Sequence, residues 1–463
     1  MVSQAKERRF IAPLLLGSAL NPINSSMIAT GLAAIAADFR VGPGAAAQLV
    51  SVLYLCSAVA QPTMGKLATL FGPRRVFLAG VTILLAGGLL GGFAPSFEAL
   101  LVARALIGIG TSAGYPTAMA LVRRRADRLG TGVPSRTLGN FSIAAQVTIV
   151  VGLPLGGLLN GTFGWRGLFL VNVPLALITL AATWFAVERD EPLRSRRGTL
   201  AALDLPGIAL FAGAIVALLL FLGDLTHPRW WIAGLALVLL AALAGWEPRA
   251  PEPLIDLPML GRNGALQRTY LRQFLAGLGN YTALYGVSQW MEEGAGYSSL
   301  AVGLIMLPLS VVSIGLARVA SSRGWVRWPL VAGASALIAT AGVMLAAGHG
   351  SGVALMLAIS TMFGVANGFS NVANQAALYT QAPGERIAVA AGLYRTANYL
   401  GAIFSASVIG LSFGARVDDA GFHRVAWIVI GIGLAALAMP LLDGTVPTTV
   451  KDSGSPERRP GRE

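Results

Sequence analysis

Residues 152–174 read GLPLGGLLNGTFGWRGLFLVNVP, and this stretch decides the class of fold. It opens inside an apolar run with Gly152, Pro154, Gly156 and Gly157, then meets Trp165 and Arg166. In a soluble helix each such glycine costs roughly 1 kcal/mol relative to alanine. Between membrane helices small residues act the other way, because they let backbones approach closely. Neighbouring helices there re-satisfy the backbone groups that a proline frees. The stretch therefore predicts a kinked, tightly packed membrane helix at a moving interface. The plainer alternative is an ordinary glycine-rich span.

The rest of the chain agrees with a membrane protein. Of its 463 residues 55% are hydrophobic and 12% charged, with a mean hydropathy of +0.68, against about 25% charged in soluble domains. A span needs about 20 residues. The apolar runs predict fourteen, near 10–36, 46–68, 76–95, 98–122, 137–161, 167–187, 205–223, 229–246, 268–292, 300–320, 328–348, 351–379, 386–412 and 423–443. The net charge of +13 does not point to nucleic acid, since it lies in short loops between apolar runs. Of the 34 Lys and Arg residues, 27 fall on one side of these spans, 5 on the other, and Arg104 and Arg395 within them. The positive-inside rule then places both termini in the cytoplasm. Cys56 is the single cysteine, which excludes an intramolecular disulfide. MVSQAKERRF precedes a run long enough to span rather than a short signal-peptide core. The polar, Pro/Gly-rich end of the chain is expected to be disordered.

GLPLGG followed by WRGLFLVNVP resembles the antiporter signature of major facilitator superfamily exporters, with Gly152, Pro154, Gly156, Gly157, Trp165, Arg166, Phe169, Asn172 and Pro174 in matching positions. The resemblance is nearest to the fourteen-span drug:proton antiporter branch. It implies an all-α integral membrane fold of two six-helix halves with two extra spans between them: residues 1–190, 263–443 and 191–262, then a cytoplasmic tail at 444–463. The segment GKLATLFGPRR (65–75) is similar to the superfamily's loop signature through Gly65, Leu67, Ala68, Gly72, Arg74 and Arg75. Thr69 stands where the family has an aspartate of an inter-half charge network, so that latch is expected to be weaker. LVARALIGIGTSAGYP (101–116) resembles the signature whose arginine, here Arg104, is linked to proton coupling. A charge at membrane depth marks a functional site by default, although Arg104 also lies near enough to a span end to snorkel.

LNPINSSMIATGLAAI (20–35) sets Asn24 where the fourteen-span exporters tend to carry an aspartate, and an amide has no usable pKa. Asn21, Asn24, Ser25 and Ser26 are left as polar groups that face either a cavity or a neighbouring helix. The departure is general, because none of the 21 acidic residues falls mid-span. The nearest candidate proton carriers are Asp38, Glu98, Glu292 and Glu293 at the outer side. Asn280, Tyr281, Tyr285, Gln289 and Trp290 form a polar–aromatic stripe. Asn367, Asn371 and Asn374 share one helical face, as do Arg395, Asn398 and Tyr399. These are the candidate substrate contacts. His227, His349 and His423 sit in outer loops or at span edges, so no metal, cofactor or histidine relay is expected.

The leading reading is a monomeric secondary transporter of a bacterial inner membrane that exports amphipathic small molecules by alternating access, with protons as the candidate coupling ion. A carrier for neutral or anionic metabolites without proton coupling is the alternative, and a non-transporting sensor on the same fold a distant one. A membrane-embedded enzyme lacks any mid-span acid, histidine or nucleophile constellation.

Overall fold

The computed structural model describes residues 2–41, 43–130, 133, 135–191, 203–222, 228–297, 299–414 and 416–450. Among them the chain forms fourteen helical runs. Helix α1 (Val2–Met27) continues through a tighter turn, Ile28–Gly31, into Leu32–Phe39. The next five are α2 (Pro43–Phe71), α3 (Pro73–Gly92), α4 (Phe97–Arg128), α5 (Ser135–Phe163) and α6 (Arg166–Ala186). A two-helix insert follows, α7 (Leu205–Leu222) and α8 (Trp230–Trp246). The second half comprises α9 (Gly264–Gln289), α10 (Ala301–Arg323), α11 (Arg327–Met344), α12 (Val353–Gln381), α13 (Ile387–Phe413) and α14 (Asp419–Leu442).

Among the described residues, ten of these are long and apolar enough to cross a membrane by length and composition. The others are α1, α2, α5 and α9, each of 26 or 29 residues. Three of them carry the polar side chains that meet at the centre of the bundle: Asn21 on α1, Ser57 and Gln61 on α2, and Gln273 on α9.

Residues 444–450, expected in a disordered tail, are ordered. Thr448 accepts from Val326 N at 3.1 Å, Val450 N donates to Gly324 O at 2.9 Å, and Val446 is buried beside Val326 and Leu330. The remainder of that tail, 451–463, and most of the loop at 191–203 lie outside the described residues.

Two large apolar clusters fill the bundle, the first centred in the N-terminal half and reaching across the seam to Leu378, Tyr379, Ile387 and Tyr394. One gathers Leu14, Phe77, Leu84, Ile107, Phe141 and Phe169; the other gathers Val287, Trp290, Met344, Phe363, Phe422 and Val429. The insert packs by α7 onto the seam between the halves, where Phe211, Ile215 and Leu219 meet Ala58 of α2 and Tyr399 of α13. The strap between the insert and the second half is pinned at the end of the bundle that carries the arginine-rich loops, here the basic end. Lys66 donates to Glu252 Oε2 at 3.3 Å and to its carbonyl at 3.1 Å, while Asp204 and Glu247 accept from Leu254 N and Ile255 N.

Glycine sets the spacing where helices touch. Gly152 and Gly156 of α5 lie one turn apart against α1, and a Cβ at Gly156 would fall 2.7 Å from Met27 O. Gly157 faces open space, with nothing within 4 Å of its Cβ position. The glycine-rich stretch is thus closely packed, but inside one half rather than between the two. The backbones that approach across the seam belong to other glycines. A Cβ at Gly65 would sit 2.5 Å from Ala388 O, one at Gly392 2.5 Å from Gln61 O, and one at Gly139 1.9 Å from Ser321 Oγ.

Candidate functional site

The two halves meet around a buried polar network below the middle of α1, α2, α4 and α13. Asn21 Nδ2 donates to Ser57 Oγ and to Thr111 Oγ1, both at 2.9 Å. Its Oδ1 accepts from the Tyr399 hydroxyl at 2.8 Å, and Gln61 Nε2 donates to the same hydroxyl at 3.3 Å. Thr396 Oγ1 donates to Ala58 O at 2.7 Å one turn away. Two groups of the first half, Asn21 and Gln61, therefore hold one tyrosine of the second. Toward the basic end the seam continues through Gly392 and Gly65, then Tyr379, whose hydroxyl donates to Met119 O at 3.4 Å and whose ring lies 5.9 Å from the Arg123 guanidinium carbon. This face of the bundle is closed.

Aromatic side chains pack in pairs near the network. The Tyr54 and Tyr399 rings are 5.8 Å apart and the Tyr281 and Tyr285 rings 5.6 Å apart. Tyr281, Tyr285 and Ser25 all lie within electrostatic reach of the Tyr54 hydroxyl. Tyr285 is 43% exposed. Amides pair as well: Asn280 Nδ2 and Asn371 Nδ2 both donate to Asn367 Oδ1, at 3.3 and 2.6 Å, and Gln273 Nε2 donates to Asn398 Oδ1 at 2.9 Å. Several buried polar atoms have no protein partner, among them Gln61 Oε1, Gln273 Oε1, Asn374 Oδ1, Gln375 Nε2, the Tyr115 hydroxyl and Arg395 Nε. Each such atom costs about 1–3 kcal/mol unless something else satisfies it.

Arg104 and Arg395 have opposite surroundings. Arg104 is 1% exposed; its Nε donates to Leu49 O at 2.9 Å, and its Nη atoms to Asn24 O at 3.4 and 3.5 Å. It is a staple joining α4 to α1 and α2, with no acid beside it among the described residues. Arg395 is half-buried, nine positions into α13, and has no ion pair or hydrogen bond among the described residues. Its guanidinium carbon lies 4.2 Å from the centroid of the Tyr115 ring, which belongs to the opposite half.

Other expected site residues fall elsewhere. Asn24 is buried against α6, donating to Asn172 Oδ1 at 2.7 Å and to Leu20 O at 2.8 Å, so it is a packing amide rather than a cavity contact. Gln289 donates to Glu293 at an exposed helix end, and Trp290 stacks on Phe422 with ring centroids 4.3 Å apart. The four candidate proton carriers all stand at the rim opposite the basic end: Asp38 accepts from Trp165 Nε1 and Arg166, while Glu98, Glu292 and Glu293 are exposed. Among the described residues no group of His, Cys, Asp and Glu could hold a metal. Pro154 lies within α5, whose helix runs unbroken through it.

The loop at 65–75 holds a group that its sequence alone does not reveal. Thr69 is exposed and bonds only to Gly65 O of its own helix. The charge comes instead from Asp190, just after α6. Its side chain is almost wholly buried, accepts from Arg75 N at 2.8 Å and Arg74 N at 3.4 Å, and pairs with Arg124 at 3.0 Å. Gly72, at φ +94°, makes room, since a Cβ there would lie 2.4 Å from the Asp190 carboxyl carbon. Arg74 turns back to Trp184 O, and Arg75 to Phe71 O. This charge cluster joins loops of one half and does not bridge the two.

Comparison with known proteins agrees with this architecture. The chain is 32% identical over 451 residues to an uncharacterised MFS-type transporter, YwoD, of Bacillus subtilis (strain 168), covering 95% of this chain and 97% of that one. It is 29% identical over 393 residues to the lincomycin resistance protein of Streptomyces lincolnensis, covering 82% and 79%. It is 26% identical over 415 residues to the tetracenomycin C resistance and export protein of Streptomyces glaucescens, covering 87% and 75%. Among solved structures, the human organic anion transporter MFSD10 and the proton:xylose symporter XylE each superpose with a TM-score of 0.66 at 16% identity. They cover 94% and 97% of this chain, and 99% and 98% of their own. Two helical halves around a polar seam, with the family model matched over residues 14–406, make this chain a member of the Major Facilitator Superfamily.

Proposed function

We propose that the protein exports amphipathic small molecules by alternating access. The observation that carries this reading is the cross-half network on Tyr399. Asn21 and Gln61 of one half bond to a tyrosine of the other, beside buried aromatic and amide side chains of which several polar atoms lack protein partners. Two helical halves that meet along one seam, with polar groups between them, are what a rocking transporter requires. Export rather than uptake is supported by the antiporter-like stretch at 152–174 and by relatives named for antibiotic resistance and export.

In this reading all fourteen helical runs cross the bilayer, the basic end faces the cytoplasm, and the protein works as a monomer in a bacterial inner membrane. The closed seam then makes the structure an outward-facing state. The rim positions of Asp38, Glu98, Glu292 and Glu293, and the lack of an acid partner for Arg104, favour the second reading on one point: transport that does not depend on a proton-carrying mid-span carboxylate. Flux in proteoliposomes with and without an imposed pH gradient, across cationic, neutral and anionic amphipaths, tests both. Accumulation against a concentration gradient only when the pH gradient is imposed supports proton-coupled export. Equilibration that ignores the gradient supports the uncoupled carrier, and no flux of any compound contradicts both.

A further inference from the structure

Among the described residues, Arg395 is a charge inside the bundle that has neither an ion pair nor a hydrogen bond. Arg104 spends its donors on backbone carbonyls, whereas Arg395 has a buried Nε–H with no protein acceptor and no acid beside it. What it does touch is Tyr115, at 4.2 Å, and Tyr115 is fixed by burial and by an edge-on contact with Phe141 at 6.5 Å and 83°. Tyr281, Tyr394 and Tyr399 lie within electrostatic reach of the same guanidinium. Arg395 comes from the second half and Tyr115 from the first, so their contact is also part of the inner closure.

A ring face attracts a cation through its quadrupole but cannot accept the guanidinium's in-plane N–H bonds. A carboxylate or sulfonate accepts two of those bonds in parallel. The negative ring face and an anion compete for one positive charge and repel each other. We propose that Arg395 is an anion subsite at the seam between the halves, and that an acidic group on the substrate draws it off Tyr115 and thereby loosens a contact between the halves. The inference rests on the export reading above and adds to it the substrate's charge and a trigger for opening.

The test uses the full chain in proteoliposomes and two probes that share an aromatic frame: anionic 8-anilinonaphthalene-1-sulfonate and neutral N-phenyl-1-naphthylamine. The reading is the ratio of their dissociation constants, anion over neutral, and of their transport rates. Arg395→Gln should raise the binding ratio about tenfold, the scale of a lost charge-assisted hydrogen bond, and Arg395→Lys should recover part of it. Tyr115→Leu removes the competitor and should lower the binding ratio about fivefold, the scale of one desolvated cation–π contact. An unchanged ratio in Arg395→Gln overturns the subsite. An unchanged or raised ratio in Tyr115→Leu overturns the competition, and that variant decides alone if Arg395→Gln fails to insert. A wild type that transports neither dye contradicts the export reading; wild-type transport with unchanged ratios contradicts only this inference.

Discussion

The Tyr399 hydroxyl donates to Asn21 Oδ1 at 2.8 Å, joining residues 378 positions apart in two different halves. Asn21 is held in turn by Ser57 and Thr111, so its acceptor is aimed before Tyr399 arrives. Opening the basic end must break this bond. Tyr399→Phe removes the donor and leaves Asn21 Oδ1 unpaired, a destabilisation of the closed state by about 1–2 kcal/mol. A cysteine at Ala388, buried by the closure, should become several-fold more reactive toward thiol reagents in that variant, in a Cys56→Ala background. Unchanged reactivity would mean that the bond does not hold the closure.

The glycine contacts give a contrast between neighbouring positions. Gly156→Leu would drive a side chain into the α1 backbone at Met27, whereas Gly157→Leu points into open space. The first should abolish transport and lower thermal stability, with overpacking costing about 1–3 kcal/mol. The second should stay within about 0.5 kcal/mol of wild type. Thermal unfolding and flux, measured side by side on the two variants, check the assignment.

Much of this was legible in the sequence, and the reason is physical. Apolar runs bounded by charge fix where helices can cross, so the expected limits 205–223 and 386–412 differ by only a residue from Leu205–Leu222 and Ile387–Phe413. Face-sharing along one helix was also legible, which is why Asn367 and Asn371 meet as their spacing predicts. Contacts between helices were not. Nothing local to Asn24 says that it turns to Asn172, or that Asp190 supplies a charge missing at Thr69, because both depend on how separate helices rotate against each other. Gly139 and Gly392 escaped notice for the same reason; in a chain with 57 glycines, only the packing singles out those at the seam.

Asp443, just beyond α14, pairs with Arg268 at 2.7 Å and with buried Arg272 at 3.3 Å. Burial alone would push its carboxyl up, but hydrogen bonds from Thr445 and Arg268 outweigh this and hold it below the usual carboxylate range. A depressed folded-state pKa stabilises the protein above the unfolded value, and that stability is lost as pH falls through the folded value. Asp443→Asn should lower stability near neutral pH by about 3 kcal/mol, since it leaves Arg272 buried without its charge partner. It should also flatten the fall in melting temperature on acidification below about pH 4. Melting curves of both proteins across that range are the check.

Topology follows from the insert. Cysteines at Arg189 and at Gly261, both exposed, flank α7 and α8. Two crossings between them return the chain to the same side, so both should resist impermeant thiol reagents in intact cells and react after the membrane is opened. Labelling of only one from outside would mean that the insert crosses once.

The central claim is that the ends of one seam open in alternation, and paired distances test it most directly. Spin labels at Leu129 and Trp328 report the basic end, and labels at Phe93 and Val353 the opposite end; all four positions are exposed. Gly392→Leu should prop the basic end open, because a Cβ there already lies 2.5 Å from Gln61 O. The account predicts that this substitution lengthens the Leu129–Trp328 distance and shortens the Phe93–Val353 distance in the same sample. A longer basic-end distance with an unchanged or longer opposite-end distance would contradict alternating access in this protein.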